Sequence, residues 1–151
     1  TAMQVLDNGR IEVAAQCLGL AAAAMDAAIA YAKDRVIGGQ ALSDRQGIRW
    51  LFADMGVAYR AALLISQDAA RQRQAAHDGS GGRFSLAAAT AKLAASEAAG
   101  KIADTALQLH GGYGYTRDFA VERINRDLRI MRIYEGSSEI QRNIISGNML
   151  A

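Results

Sequence analysis

Proline is absent from all 151 residues. Nothing therefore removes a backbone donor inside a helix, and long uninterrupted helices are permitted. Cysteine occurs once, at Cys17, which excludes an internal disulfide. The two histidines, His77 and His110, form no metal-ligand set with it, so no metal site is expected. Acidic and basic residues nearly cancel, leaving a formal charge of +2 with both signs interspersed. No basic run interleaves with aromatics, which argues against a nucleic-acid partner. No targeting segment is visible. The alanine-rich run near residue 20 is followed within a few turns by Asp26, Lys33 and Asp34, which argues against a membrane span.

What is present is alanine in helical rhythm. Length and composition fit one domain. A first helix is predicted from Gly9 to Val36, with Leu18, Ala22, Met25, Ile29, Ala32 and Val36 forming a seam that alternates steps of four and three. Asp7 reads as its N-cap, and Cys17 as a small buried hydrophobe. The loop Ile37–Leu42 leads into Ser43-Asp44-Arg45-Gln46, a capping-box pattern. The second helix, Asp44 to Ala76, carries Ile48, Leu51, Met55, Ala58, Ala62, Ile65 and Ala69 on one seam. Trp50 and Tyr59 are expected in the core or an interface, and His77 at a solvated helix end. Asp78–Gly82 is a flexible connector.

The third helix spans Ser85 to Leu109, with Lys92, Glu97, Lys101 and Asp104 assigned to its polar side and Gly100 to close packing. A short helix, Phe119 to Arg129, shows the stripe Val121, Ile124, Leu128. Arg117, Arg123, Arg126, Arg129 and Arg132 read as a solvated basic face, partly paired with Asp118, Glu122 and Asp127. A last helix, Ser138 to Met149, starts behind Ser137 as N-cap. The fold class is all-α, an up-down helical bundle.

Chemistry concentrates between Gln108 and Gln141. Glu135 stands between Tyr134 and Gly136, outside any helical pattern and just before a helix start. A carboxylate so placed is a candidate general base; the simpler reading of these residues alone is a loop carboxylate favouring a helix dipole. Gly111-Gly112 lets a backbone approach a ligand with its N–H groups exposed, or caps the third helix. It lacks the G-x-G-x-x-G spacing and follows no strand, so a Rossmann site is not expected.

Taken together, Gln108-x-x-Gly111-Gly112-x-Gly114-Tyr115, Arg126-Asp127, Ile133-Tyr134-Glu135-Gly136-Ser137 and Ile140-Gln141-Arg142 resemble the C-terminal helical domain of the acyl-CoA dehydrogenases. Upstream, Asp7-x-Gly9-Arg10, Gly19, Tyr31-Ala32-x-x-Arg35, Gln46 and Ala53-Asp54-Met55 extend the resemblance over essentially the whole chain. Residues 1–151 thus read as one domain, excised from a protein whose N-terminal helical and middle β domains are absent here.

The resemblance implies an FAD-dependent α,β-dehydrogenation of an acyl-CoA thioester. Glu135 would take the α-proton and hydride would pass to flavin N5. FAD contacts would come from Arg35, Gln46, Gln108, Leu109, His110, Gly111, Gly112, Ser137, Ser138 and Glu139. Leu109 and His110 would contribute through backbone, toward the flavin of a neighbouring subunit. Asp7, Arg10 and Gly136 would border the acyl-CoA. Gly38 stands where the family usually has phenylalanine, which predicts a thinner wall for the cofactor. The implied partners are an electron-transfer flavoprotein and further copies of the chain, in a dimer or dimer of dimers. The implied compartment is cytoplasmic or the mitochondrial matrix. Two alternatives stand beside this: an acyl-CoA oxidase-type parent, and a non-catalytic helical module competent only for self-association.

Overall fold

The computed structural model describes residues 2–151, with side chains from Val5 onward. Five helices carry it: α1 (Ala2–Asp34), α2 (Gln46–His77), α3 (Ser85–His110), α4 (Ala120–Ile130) and α5 (Ser138–Leu150). The expected all-α bundle is therefore the fold, with one small addition. Val36–Ile37 (β1) and Gln40–Ala41 (β2) pair antiparallel in place of the predicted loop. Gly38 and Gly39 turn the hairpin at φ 61° and 79°, the doubly left-handed turn that Gly-Gly supplies without a Cβ penalty.

α1 and α3 run parallel. At one end the Ser85 hydroxyl donates to Asp7 at 2.5 Å; at the other Tyr31 stacks on His110 at 4.3 Å between ring centroids. The two pairs are almost equally spaced along both helices, so the register holds over roughly 36 Å at 1.5 Å rise per residue. α2 returns antiparallel, with Met55 and Ala58 near Ile102 and Thr105, and Leu64 and Ile65 near Leu86 and Ala87.

The core between α1 and α3 is mostly alanine: Ala14, Cys17, Ala21, Ala24 and Ala28 face Ala88, Ala91, Ala95, Ala99 and Ala106. Small side chains let two helix backbones approach closely, and this rotates the seam predicted for α1. Leu18 and Ala32 are buried, Ala22, Met25 and Ile29 are half-buried, and Val36 belongs to the hairpin. The larger residues flank the contact; the smallest sit on its axis. By length and composition α1 could cross a bilayer; here its apolar axis faces α3.

Several local expectations are corrected. α1 is already helical at Ala2, so Asp7 is an interior residue rather than an N-cap. No capping box forms at α2: Leu42–Asp44 make a 3-10 turn, and Arg45 takes the N-cap position without a side-chain bond. Of the two aromatics expected in the core or an interface, Tyr59 packs against the core, while Trp50 is 63% exposed, which leaves it the interface alternative. Gly100 makes room for the Arg132 guanidinium rather than for a neighbouring backbone. Arg132 thus leaves the solvated arginine set, lying 3.8 Å from Glu97. Among the described residues, Glu122 alone of the three expected acids pairs within that set, with Arg126. Cys17 is fully buried and His77 exposed, as expected.

Candidate active site

Residues 131–137 leave α4 and reach α5 through a tight loop. Glu135 has φ 55°, the only non-glycine in the left-handed region among the described residues, and Gly136 follows at 90°. Two successive left-handed residues reverse the chain sharply. For glutamate this costs about 1–2 kcal/mol, so the surroundings must hold it there. Three donors do so. Gln141, in the first turn of α5, donates to the carbonyls of Glu135 (3.2 Å) and Gly136 (2.8 Å). Lys92 Nζ, from α3, donates to Gly136 O at 2.8 Å. Arg10 Nε, from α1, reaches Glu135 O at 3.4 Å.

The Glu135 carboxylate lies against Gly9 of α1, where a Cβ would sit 2.7 Å from Oε2. A helix surface without side chain is what lets the carboxylate stand there. Glu135 is half-buried at this turn, its N–H outside any backbone hydrogen bond among the described residues.

Asp7 and Arg10 join this site, but as buried supports. Their side chains are each 4% exposed and paired at 2.7 Å. The second Asp7 oxygen accepts from Ser85. Ser138 is likewise buried, its hydroxyl donating to Glu97 at 2.6 Å, which leaves only its backbone for a nucleotide. Ser137 takes the N-cap position of α5 without a side-chain bond to the backbone. Glu139 is exposed; its carboxyl is held below the usual range by its own backbone N–H and by the Ser137 hydroxyl.

The remaining expected residues gather elsewhere. Gln108, Leu109, His110, Gly111 and Gly112 form the C-terminal end of α3 and the 3-10 turn after it. Arg35 and Gln46 flank the hairpin that joins α1 to α2. From Lys92 to His110 this end lies roughly 27 Å along α3 from the Glu135 turn. Leu109 and His110 turn their side chains inward: His110 Nδ1 lies 2.8 Å from Ala106 O, and the ring packs between Tyr31 and Phe119. Gly111, at φ 60°, caps α3, and neither Gly111 nor Gly112 has a heavy atom where a Cβ would lie. Arg35 lies over Tyr113, 5.6 Å from the ring centroid. An open glycine pair, an exposed Gln108 and an exposed guanidinium fit a dinucleotide's pyrophosphate.

Sequence and structural comparisons place the chain in a family. The family described as acyl-CoA dehydrogenase, C-terminal domain, matches residues 1–150. This chain belongs to the acyl-CoA dehydrogenase family. It is 46% identical over 148 residues to the short-chain specific acyl-CoA dehydrogenase of Clostridium acetobutylicum, covering 98% of the chain and 38% of that protein. The structure superposes on butyryl-CoA dehydrogenase from Megasphaera elsdenii with a TM-score of 0.94 at 41% identity, covering 99% of the chain and 38% of the other. A subunit of the caffeyl-CoA reductase–Etf complex of Acetobacterium woodii is 42% identical over 153 residues, covering 99% and 38%. The chain therefore spans well under half the length of these acyl-CoA dehydrogenase relatives.

Three residues packed on the Glu135 turn carry no such role in the sequence: Gly9 reads as a helix start, Gln141 as a motif letter, and Lys92 as part of a polar face. A signal existed for Lys92. At 100° per residue it lies roughly 120–180° around the helix from Glu97, Lys101 and Asp104, on the face that Ala88 and Ala95 bury.

Proposed function

We propose that this chain is the C-terminal helical domain of an FAD-dependent acyl-CoA dehydrogenase, with Glu135 as the base that removes the α-proton of the thioester. The observation that carries the reading is the Glu135 turn. A glutamate is kept left-handed by donors from three helices, with its carboxylate laid on a bare glycine and its N–H outside any backbone hydrogen bond among the described residues. An α-proton is weakly acidic, so its removal needs a fixed base and a hydrogen bond to the thioester oxygen as charge develops there. Glu135 can offer both, the carboxylate to the proton and its N–H to the oxygen. FAD, when bound, accepts the hydride leaving the β-carbon.

This chain's own contributions divide between its two ends. Glu135 and Gly136 meet the acyl thioester, with Asp7 and Arg10 buttressing them from beneath. The N–H groups at the start of α5 and the exposed Glu139 side chain line the approach to the flavin nucleotide. Gln108, Gly111, Gly112, Arg35 and Gln46, at the far end, hold the dinucleotide of a neighbouring subunit. That division requires a second copy of the chain. The exposed α2 residues Trp50, Val57 and Leu64, spaced by sevens on one face, supply an apolar surface for it. The acyl-CoA names of the relatives point to acyl-CoA as substrate, and the Etf complex of one of them to an electron-transfer flavoprotein as acceptor.

The test uses the full-length enzyme beside its Glu135→Gln variant, mixed anaerobically with acyl-CoAs of increasing length. Bleaching of the flavin band in wild type and its near-loss in the variant is the expected result. Equal bleaching in both would move the base elsewhere. No bleaching in either, with flavin bound, would sink the dehydrogenase reading and favour an assembly module.

A further inference from the structure

Lys92 has an unusual position. Its side chain is fully buried, on the face of α3 that also buries Ala88 and Ala95. Lysine is almost never fully buried without a partner, and desolvation here pushes its pKa down, with Arg10 acting in the same sense and Cys17, Glu97 and Glu135 opposing. Its hydrogen-bond partner among the described residues is the Gly136 carbonyl. Gln141 is fully buried as well, and its amide nitrogen spans the carbonyls of Glu135 and Gly136. A Cβ on Gly136 would lie 2.6 Å from that nitrogen, so glycine and glutamine are fitted to one another.

A left-handed glutamate relaxes toward the ordinary backbone region unless its ψ and that of the next residue are held. The carbonyl oxygens are the handles by which ψ is held. Lys92 and Gln141 grip both handles from two different helices, without touching the carboxylate. We propose that Lys92 and Gln141 are positioning residues for Glu135: by holding the carbonyl oxygens of residues 135 and 136 they lock the left-handed turn that lays the carboxylate on Gly9. This rests on the reading of Glu135 as the base. Displacing a reacting group by about 1 Å can cost on the order of a hundredfold in rate, so a turn held on one side only is a slower catalyst rather than a weaker binder.

The experiment takes the full-length holoenzyme as wild type, Lys92→Met, Lys92→Arg, Gln141→Met and Glu135→Gln. Stopped-flow reduction of the flavin by butyryl-CoA and by its α-dideuterated form gives a limiting rate, an apparent Kd and an α-isotope effect. Amide hydrogen exchange of the 131–141 segment reads the turn without turnover. Lys92→Met and Gln141→Met should lose roughly ten- to a hundredfold in limiting rate, with Kd within about threefold, a larger α-isotope effect and faster exchange confined to that segment. Lys92→Arg, which keeps a donor, should recover part of the rate. A wild-type rate and isotope effect in Lys92→Met overturns the inference. Should that variant lose its flavin, Gln141→Met, which removes only a neutral amide, decides by the same readouts. Glu135→Gln separates the two layers. If it reduces flavin at the wild-type rate, the base reading fails and takes this inference with it. If it is inert while Lys92→Met is unaffected, only the positioning role fails.

Discussion

Gly9 shows how one missing side chain serves a site. Alanine there is the better helix former by about 1 kcal/mol, yet its Cβ would sit 2.7 Å from Glu135 Oε2. Gly9→Ala is therefore expected to raise or preserve the melting temperature while lowering the limiting rate of flavin reduction by about tenfold or more. Paired thermal melts and stopped-flow traces on one preparation check whether stability and activity move in opposite directions. Cys17 gives a pH signature. Burial pushes its thiol from the ordinary 9.0 up to about 11. A folded pKa above the unfolded one leaves stability fully present below pH 9.0 and erodes it as pH climbs toward 11, because only the unfolded chain ionises there. The slope is at most about 1.4 kcal/mol per pH unit. Urea midpoints between pH 8 and 11 should fall in wild type and flatten in Cys17→Ala. At this scale the sequence was legible where residue type and neighbours agree: Glu135 between Tyr134 and Gly136 could not be helical. It was ambiguous for Lys92, whose charge suggested water while its helical phase pointed inward.

At the scale of elements, periodicity carried most of the reading. All three stripe residues of α4, Val121, Ile124 and Leu128, are buried, since a short helix with so many arginines has only one face to bury. Leu128→Ala is expected to cost about 2–5 kcal/mol, measured by chemical denaturation. Arg126→Ala, on the exposed Glu122 pair, should leave the midpoint unchanged. The long helices were placed to within a turn at most of their ends; the largest error was α1, whose start at Ala2 precedes any capping signal in the described chain. The hairpin at residues 36–41 was missed because two-residue strands are too short to show alternation. Only the Gly38-Gly39 pair marked it.

For the whole molecule, the surface of α2 poses the question. Trp50 (63% exposed), Val57 (71%) and Leu64 (47%) repeat every seven residues along one face. Such a stripe suits a helix from a second copy. On the proposed assembly, with the dinucleotide held between two copies, Trp50→Asp with Val57→Asp should yield a smaller species in sedimentation velocity and lower flavin content in proportion. Retention of the wild-type sedimentation coefficient and flavin content would show that this face is not the interface.

The sequence by itself determined most of the helix spans, the all-α class and the family, and it singled out Glu135, because each rests on local pattern or on a run of adjacent motif residues. The tertiary structure alone decided which residues hold Glu135. Gly9, Lys92 and Gln141 lie on three helices far apart in the chain, and they become one device only when α1 and α3 pack in parallel register with the turn before α5 closed across them. It also decided that Asp7 and Arg10 are supports rather than open surface. Burial and hydrogen-bond direction depend on how helices meet, and the meeting of alanine-rich faces is set by close backbone approach, which leaves little trace in the order of the residues.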